Sequence, residues 1–194
     1  MTFPKNNGPS MNPARLALLA LAGIMLFLFT PCVFVHAGNG YQAKTVLLPN
    51  REYGDAFLQG IRDARKSVLC SFYLFKITGS GGNQPLRIAE ELIRAKRRGL
   101  EVTVILERDN GKKEDGLTEE NRQTAAFLSR GGVKVFFDSP SVVTHAKVAV
   151  IDSRYVYLGS HNLTQSALRH NNELSVVIDS PEMAAEVIAY LDRL

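Results

Sequence analysis

The residues of this chain best equipped for chemistry lie on one stretch, HAKVAVIDSRYVYLGSHN, running from His145 to Asn162. It carries an imidazole (His145), an ammonium (Lys147), a carboxylate (Asp152), a hydroxyl (Ser160) and an amide (Asn162). Such a set suits a phosphodiester. A neutral imidazole can attack phosphorus, while an ammonium and an amide donor hold the non-bridging oxygens as charge builds on them. Glu173 is expected to join the set by accepting a hydrogen bond from the other nitrogen of His145. That bond would fix the tautomer and stabilise the imidazolium.

The spacing separates these roles. Apolar β-formers, Val148 to Ile151 and Tyr155 to Leu158, fill the gaps and predict two strands joined at Asp152-Ser153-Arg154. Side chains two apart on a strand share a face, so His145 and Lys147 converge while Asp152 points away. Asp152 is therefore read as support for the turn, its carboxylate bonding backbone amides. Ser160 and Asn162 share parity and return to the same end of the sheet. His161 has the opposite parity and is read as a structural or rim residue.

The elements that must position this segment follow by periodicity. Strands are expected at Lys44–Leu48, Ser67–Phe75, Leu100–Leu106, Val133–Phe137 and Glu173–Ile178. Helices are expected over Glu52–Lys66, from Pro85 to about Arg98, from Thr118 to Gly131, and over Pro181–Leu194, with a helical turn near Leu163–Arg169. Strands alternating with helices predict an α/β fold, a mixed β-sheet sandwiched between helices. The Arg94, Lys96, Arg97 and Arg98 cluster at a helix C-terminus is read as complementing the helix dipole.

The run HxK, four residues, Asp, six residues, GSxN resembles the HKD motif of the phospholipase D superfamily. Here it stands as His145, Lys147, Asp152, Gly159, Ser160 and Asn162, with Glu173 at the spacing of an acidic partner. HxK-x4-D alone would arise by chance in roughly one chain of this length in a hundred, and the added Gly, Ser and Asn make the match specific. The resemblance covers about residues 44–194 and implies an αβα sandwich. It also implies a metal-independent phosphodiesterase that works without a cofactor through a phosphohistidine on His145. Lys147, Ser160 and Asn162 would bind substrate, and Glu173 would orient the histidine. Such chemistry needs a second histidine to protonate the leaving oxygen, and this chain has one motif. The resemblance to small, nuclease-type bacterial members therefore implies a homodimer with a shared active site. DNA or RNA is the expected substrate, and phospholipid head groups are the alternative; a non-catalytic phosphate-binding module is the reading from another class.

Composition bounds the remainder. At 194 residues, with 45% hydrophobic and 22% charged content, the chain suits one globular domain. Lys5 and Arg15 precede an apolar run over residues 16–35, followed by Val35-His36-Ala37-Gly38. This predicts a signal peptide over residues 1–37 cut after Ala37, or an uncleaved anchor giving membrane association through residues 16–35. The protein is expected to be exported, periplasmic or extracellular, with attachment to the inner membrane as the alternative. Residues 1–37 contain no acid, so the rest is nearly neutral, with 21 basic against 19 acidic groups. That excludes a strong global field for nucleic acid and leaves local contacts such as Lys112-Lys113. Of the two cysteines, Cys32 falls in the apolar run and Cys70 in a buried strand, so no disulfide framework is expected. No metal site is expected: there is no HExxH or cysteine cluster, and Lys147 beside His145 repels a cation.

Overall fold

The computed structural model describes residues 40–79, 82–108 and 116–194. The expected signal or anchor, Cys32 and Lys112-Lys113 lie outside the described residues. Seven strands form one sheet: β1 (Lys44–Pro49), β2 (Ser67–Phe72), β3 (Glu101–Leu106), β4 (Lys134–Phe137), β5 (Lys147–Ile151), β6 (Tyr155–Gly159) and β7 (Leu174–Asp179). The helices are α1 (Arg51–Asp63), α2 (Gln84–Arg97), α3 (Leu117–Arg130), α4 (Gln165–Arg169) and α5 (Pro181–Leu191). The sheet order is β1-β7-β6-β5-β2-β3-β4. Strands β2, β3 and β4 run parallel, and the others pair antiparallel, so the sheet is mixed as expected.

Three of the helices start at a side-chain cap. Asn83, Thr164 and Ser180 cap α2, α4 and α5, accepting from Leu86, Ala167 and Met183 amides, and Pro85 and Pro181 stand in first turns. Gly99, with φ 94°, lets the chain leave α2 in a left-handed conformation that a side chain would disfavour. The basic cluster at this end folds back: Arg94 and Arg98 pair with the buried Glu91, and Arg98 also donates to the Ile61 carbonyl.

Alternation along the strands divides the core in two. Phe57, Phe72, Phe75, Ile88, Leu92 and Leu128 are buried between the sheet and the layer of α1 to α4. On the other face Ile105, Val148, Val150 and Val156 pack against Ala184 and Leu191 of α5. Strand β2 stops at Phe72, three residues earlier than expected. Beyond it the Tyr73 amide donates to the Ala146 carbonyl (3.0 Å), and Phe75 bridges in parallel to Leu163. This departure brings Tyr73 beneath the start of β5.

Candidate active site

His145 stands exposed just before β5, and Lys147 is the first residue of that strand, 6% exposed. The Lys147 ammonium donates to the His145 carbonyl at 2.7 Å. Both meet the ring of Tyr73. The His145 imidazole makes an edge contact with it (centroids 4.4 Å apart, planes at 62°), and Lys147 Nζ lies 5.0 Å from its centroid. The two residues therefore share one side, as the alternation of strand side chains predicts.

The loop leading into His145 is anchored from below. Glu107, buried at the end of β3, accepts from the Thr144 amide at 2.6 Å. Asn121 on α3, fully buried, accepts from the Phe75 amide and donates to the carbonyls of Tyr73 and Glu107, each at 2.9 Å. One amide side chain thus ties the end of β2 to the end of β3. Its only trace in the sequence is a polar residue on the inward face of a helix.

Burial lowers the pKa of His145, and the neighbouring Lys147 charge lowers it further. Both effects favour the neutral imidazole, the form in which a histidine acts as a nucleophile. Burial brings Lys147 down to about 8, against the opposing pull of Glu173. At neutral pH the lysine therefore still carries its charge in most molecules, on a poorly hydrated ammonium suited to an anionic ligand.

Ser160, Asn162 and Glu173 converge on the same end of the sheet by a different route. Gly159 sits directly opposite Ser175 across β6 and β7, and Ser160 follows it. The Ser160 hydroxyl donates to Glu173 and accepts from the Leu174 amide at 3.1 Å. Asn171 donates to the other Glu173 oxygen at 3.1 Å. The expected bond between Glu173 and His145 is not formed. The Glu173 backbone is held by Asn50, and its carboxylate meets the donors of Ser160 and Asn171 instead. Asn162 Oδ1 is enclosed and has no hydrogen-bond partner among the described residues.

Two residues are removed from the chemistry. Asp152 sits in the β5–β6 turn, where it and Ser153 have φ of 55° and 52°, the left-handed pair of a type I′ turn. Its carboxylate does not bond the turn itself, as expected from sequence, but reaches the Arg65, Lys66 and Ser67 amides at 2.7–3.1 Å. Burial pushes this carboxyl up, yet those three bonds and the Lys66 charge outweigh it and hold the pKa below its usual range. His161 is 1% exposed, stacked on Tyr53 (4.5 Å, 12°) and bonded through both ring nitrogens, so its role is structural. His170 is exposed at the end of α4.

The family described as cardiolipin synthase, PLD-like domain, matches residues 57–194. A Rickettsia bellii protein named phospholipase D is 34% identical over 124 residues, covering 64% of this chain and 54% of that protein. A Chlamydomonas reinhardtii mitochondrial cardiolipin hydrolase is 27% identical over 107 residues, covering 55% of this chain and 45% of its own. The chain thus spans about half the length of the curated relatives it matches. Among solved structures, the phospholipase D family member NUC from Salmonella typhimurium superposes with a TM-score of 0.64 at 23% identity, covering 78% of this chain and 94% of NUC. NucT from Helicobacter pylori gives 0.62 at 22% identity, covering 78% and 95%. The mixed sheet, the His145–Lys147 pair at the head of β5 and the family match over most of the domain have one explanation: the chain belongs to the phospholipase D superfamily.

Proposed function

We propose that the protein is a phosphodiesterase in which the His145 imidazole attacks phosphorus. A bond forms from a ring nitrogen to phosphorus, and the bond from phosphorus to the leaving oxygen breaks. That oxygen takes a proton from a protonated second histidine. Water then attacks the phosphohistidine, returning a proton to that histidine and freeing His145. Lys147 and Asn162 hold the non-bridging oxygens, and Glu173 and Ser160 keep the site polar and fixed. The observation that carries this reading is the exposed imidazole of His145, shifted toward its neutral form beside a buried ammonium. No metal is required in this scheme.

The second histidine is the same residue of a second copy of the chain. His161 is committed to the core, and an apolar strip beside the site offers a surface for the second copy. Leu47 and Leu158 both pair with Val176, so they share the face that α5 covers only in part; Leu174 has the same parity. Leu47 is 55% exposed, Leu174 54% and Leu158 39%. Leu158 precedes Gly159-Ser160 and Leu174 follows Glu173, so the strip runs up to the site. A two-fold contact there would seat a second copy of the chain against this end of the sheet.

Nucleic acid is the first substrate class, as the motif's resemblance to small, nuclease-type members implies. Phospholipid is the second, favoured by Val142 and Val143, 73% and 63% exposed immediately before Thr144-His145. Such side chains suit contact with a lipid surface. Purified protein assayed side by side on single-stranded DNA, RNA and phosphatidylcholine vesicles separates the two. His145→Asn is expected to abolish turnover by about four orders of magnitude and to remove the acid-labile phospho-adduct. Full activity in that variant refutes the mechanism, as turnover lost to a chelator refutes its metal independence. Leu158→Arg with Leu174→Arg is expected to yield inactive monomers; active monomers refute the shared site. Export through residues 1–37 predicts a mature protein beginning at Gly38, read by its mass.

A further inference from the structure

Asn50 is the residue of the domain whose backbone is hardest to explain by local sequence. It lies between β1 and α1 with φ 51° and ψ −117°, a region that L-residues other than glycine seldom occupy. It occupies the cap position of α1, yet its side chain makes no capping bond. Asparagine at a helix start normally spends its oxygen on the second or third amide of the helix. Here both the strain and the oxygen serve another partner.

That partner is Glu173. The Asn50 amide donates to the Glu173 carbonyl, and the Asn50 side-chain oxygen accepts from the Glu173 amide, each at 2.9 Å. Two bonds to one residue fix both its position and its direction. The third polar group of Asn50, its carbonyl, accepts from His161 Nε2 at 2.8 Å. Because a carbonyl can only accept, Nε2 carries the proton, and Nδ1 takes a hydrogen bond from the Ser175 hydroxyl at 2.7 Å. The same imidazole stacks on Tyr53, three residues beyond Asn50. His161 stands between Ser160 and Asn162, so Asn50 grips the site on both sides: at Glu173 directly and at the 160–162 segment through His161.

We propose that Asn50 is a positioning residue: its strained backbone and side chain clamp Glu173 and, through His161, the Ser160–Asn162 segment, keeping the Glu173 carboxylate on Ser160 and near Lys147. This rests on the proposed phosphodiesterase reading for its consequence in turnover. The groups facing Lys147 are the His145 imidazole and carbonyl at the head of β5, the Tyr73 ring beyond β2 and the Glu173 carboxylate before β7. Of these, Glu173 is the one that opposes burial with a full negative charge; the His145 carbonyl and the Tyr73 ring hold the ammonium with partial charges only. Releasing Glu173 weakens the opposition to burial, and the ammonium is then lost at lower pH.

The test compares Asn50→Gly and Asn50→Asp in the full-length chain in detergent micelles. Glycine accepts the backbone conformation and keeps the backbone bonds but lacks the side-chain oxygen; aspartate keeps that oxygen and tolerates positive φ. The readouts are melting temperature, the pH profile of kcat, and titration of the Lys147 ammonium by NMR. With Asn50→Gly the melting temperature is expected to stay near wild type. Its kcat is expected to fall about tenfold, and its alkaline limb and the Lys147 titration to move to lower pH. Asn50→Asp is expected to restore both. A glycine variant with unchanged kcat and unchanged Lys147 titration overturns the proposal, as does a fall in melting temperature alone. If the wild-type protein turns over no phosphodiester, the functional reading fails by itself, and the Lys147 titration decides the clamp.

Discussion

Asp152 is the residue whose place in a catalytic motif and whose surroundings disagree most, and its replacement gives a sharp test. It lies five positions beyond Lys147 along β5, roughly 17 Å at the rise of a strand. Its carboxylate accepts from the amides of Arg65, Lys66 and Ser67 where the chain turns from α1 into β2, and its own amide donates to the Ser67 carbonyl at 2.9 Å. Hydrogen bonds to a charged group contribute about 1.5–3 kcal/mol each, but the Arg65 and Lys66 positions are exposed and water can replace part of that. Alanine at φ 55° adds about 1–2 kcal/mol of backbone strain. Asp152→Ala is therefore expected to lose about 3–5 kcal/mol, which in a chain of this size lowers the melting temperature by about 10 °C. Asp152→Asn keeps one acceptor oxygen and tolerates the backbone, so about 1–2 kcal/mol is expected.

The sign of the pH dependence follows from the lowered carboxyl pKa in the folded state. The unfolded chain takes up its proton first as pH falls, so the stabilisation is full above the unfolded value near 4 and disappears as pH drops through the folded one. Urea titrations of the wild type and Asp152→Asn should differ by a constant amount from pH 5 to 8 and converge below about pH 4. Turnover measured well below both melting temperatures should be unchanged within a few-fold in either variant. A folded Asp152→Ala protein with turnover down a thousandfold would place the carboxylate in the chemistry. A loss of stability under 0.5 kcal/mol, roughly the effect of an ordinary surface substitution, would refute the bond assignment.

Three further outcomes follow from the same geometry. A methyl on Gly159 would overlap the Ser175 side chain and backbone, so Gly159→Ala should cost about 1–3 kcal/mol in urea unfolding and lower kcat by shifting Ser160. Because burial brings Lys147 to about 8 and phosphate binding needs the ammonium, kcat/KM should fall above about pH 8, and Lys147→Gln should show no such limb in its residual activity. The Cys70 thiol is fully buried and pushed up to about 12, so iodoacetamide at pH 8 should leave it unmodified in the native protein and label it in denaturant, as peptide mass mapping will show.

What could be read in the sequence and what could not divide along a physical line. Element positions rest on local periodicity, and nearly every strand and helix falls within three residues of expectation. The tight turn at Asp152-Ser153-Arg154 and the parity of His145 with Lys147 are local as well. The partner a polar side chain chooses is a different matter, because the topology decides which donors arrive. Asp152 bonds amides 85 to 87 positions away, and Asn50 holds a residue 123 positions away. Asn50 reads in sequence as a turn or a helix cap, and only its backbone conformation and absent capping bond reveal another use. Its place at the head of the last strand and the resemblance both draw Glu173 toward the site, yet spacing cannot tell whether His145 or Ser160 is its donor. That choice is made by the clamp on the Glu173 backbone, which turns the carboxylate toward Ser160. The acidic residue of this site is thus aimed by a strained asparagine at the end of the adjoining edge strand β1, so substitutions there should reach the chemistry without touching His145.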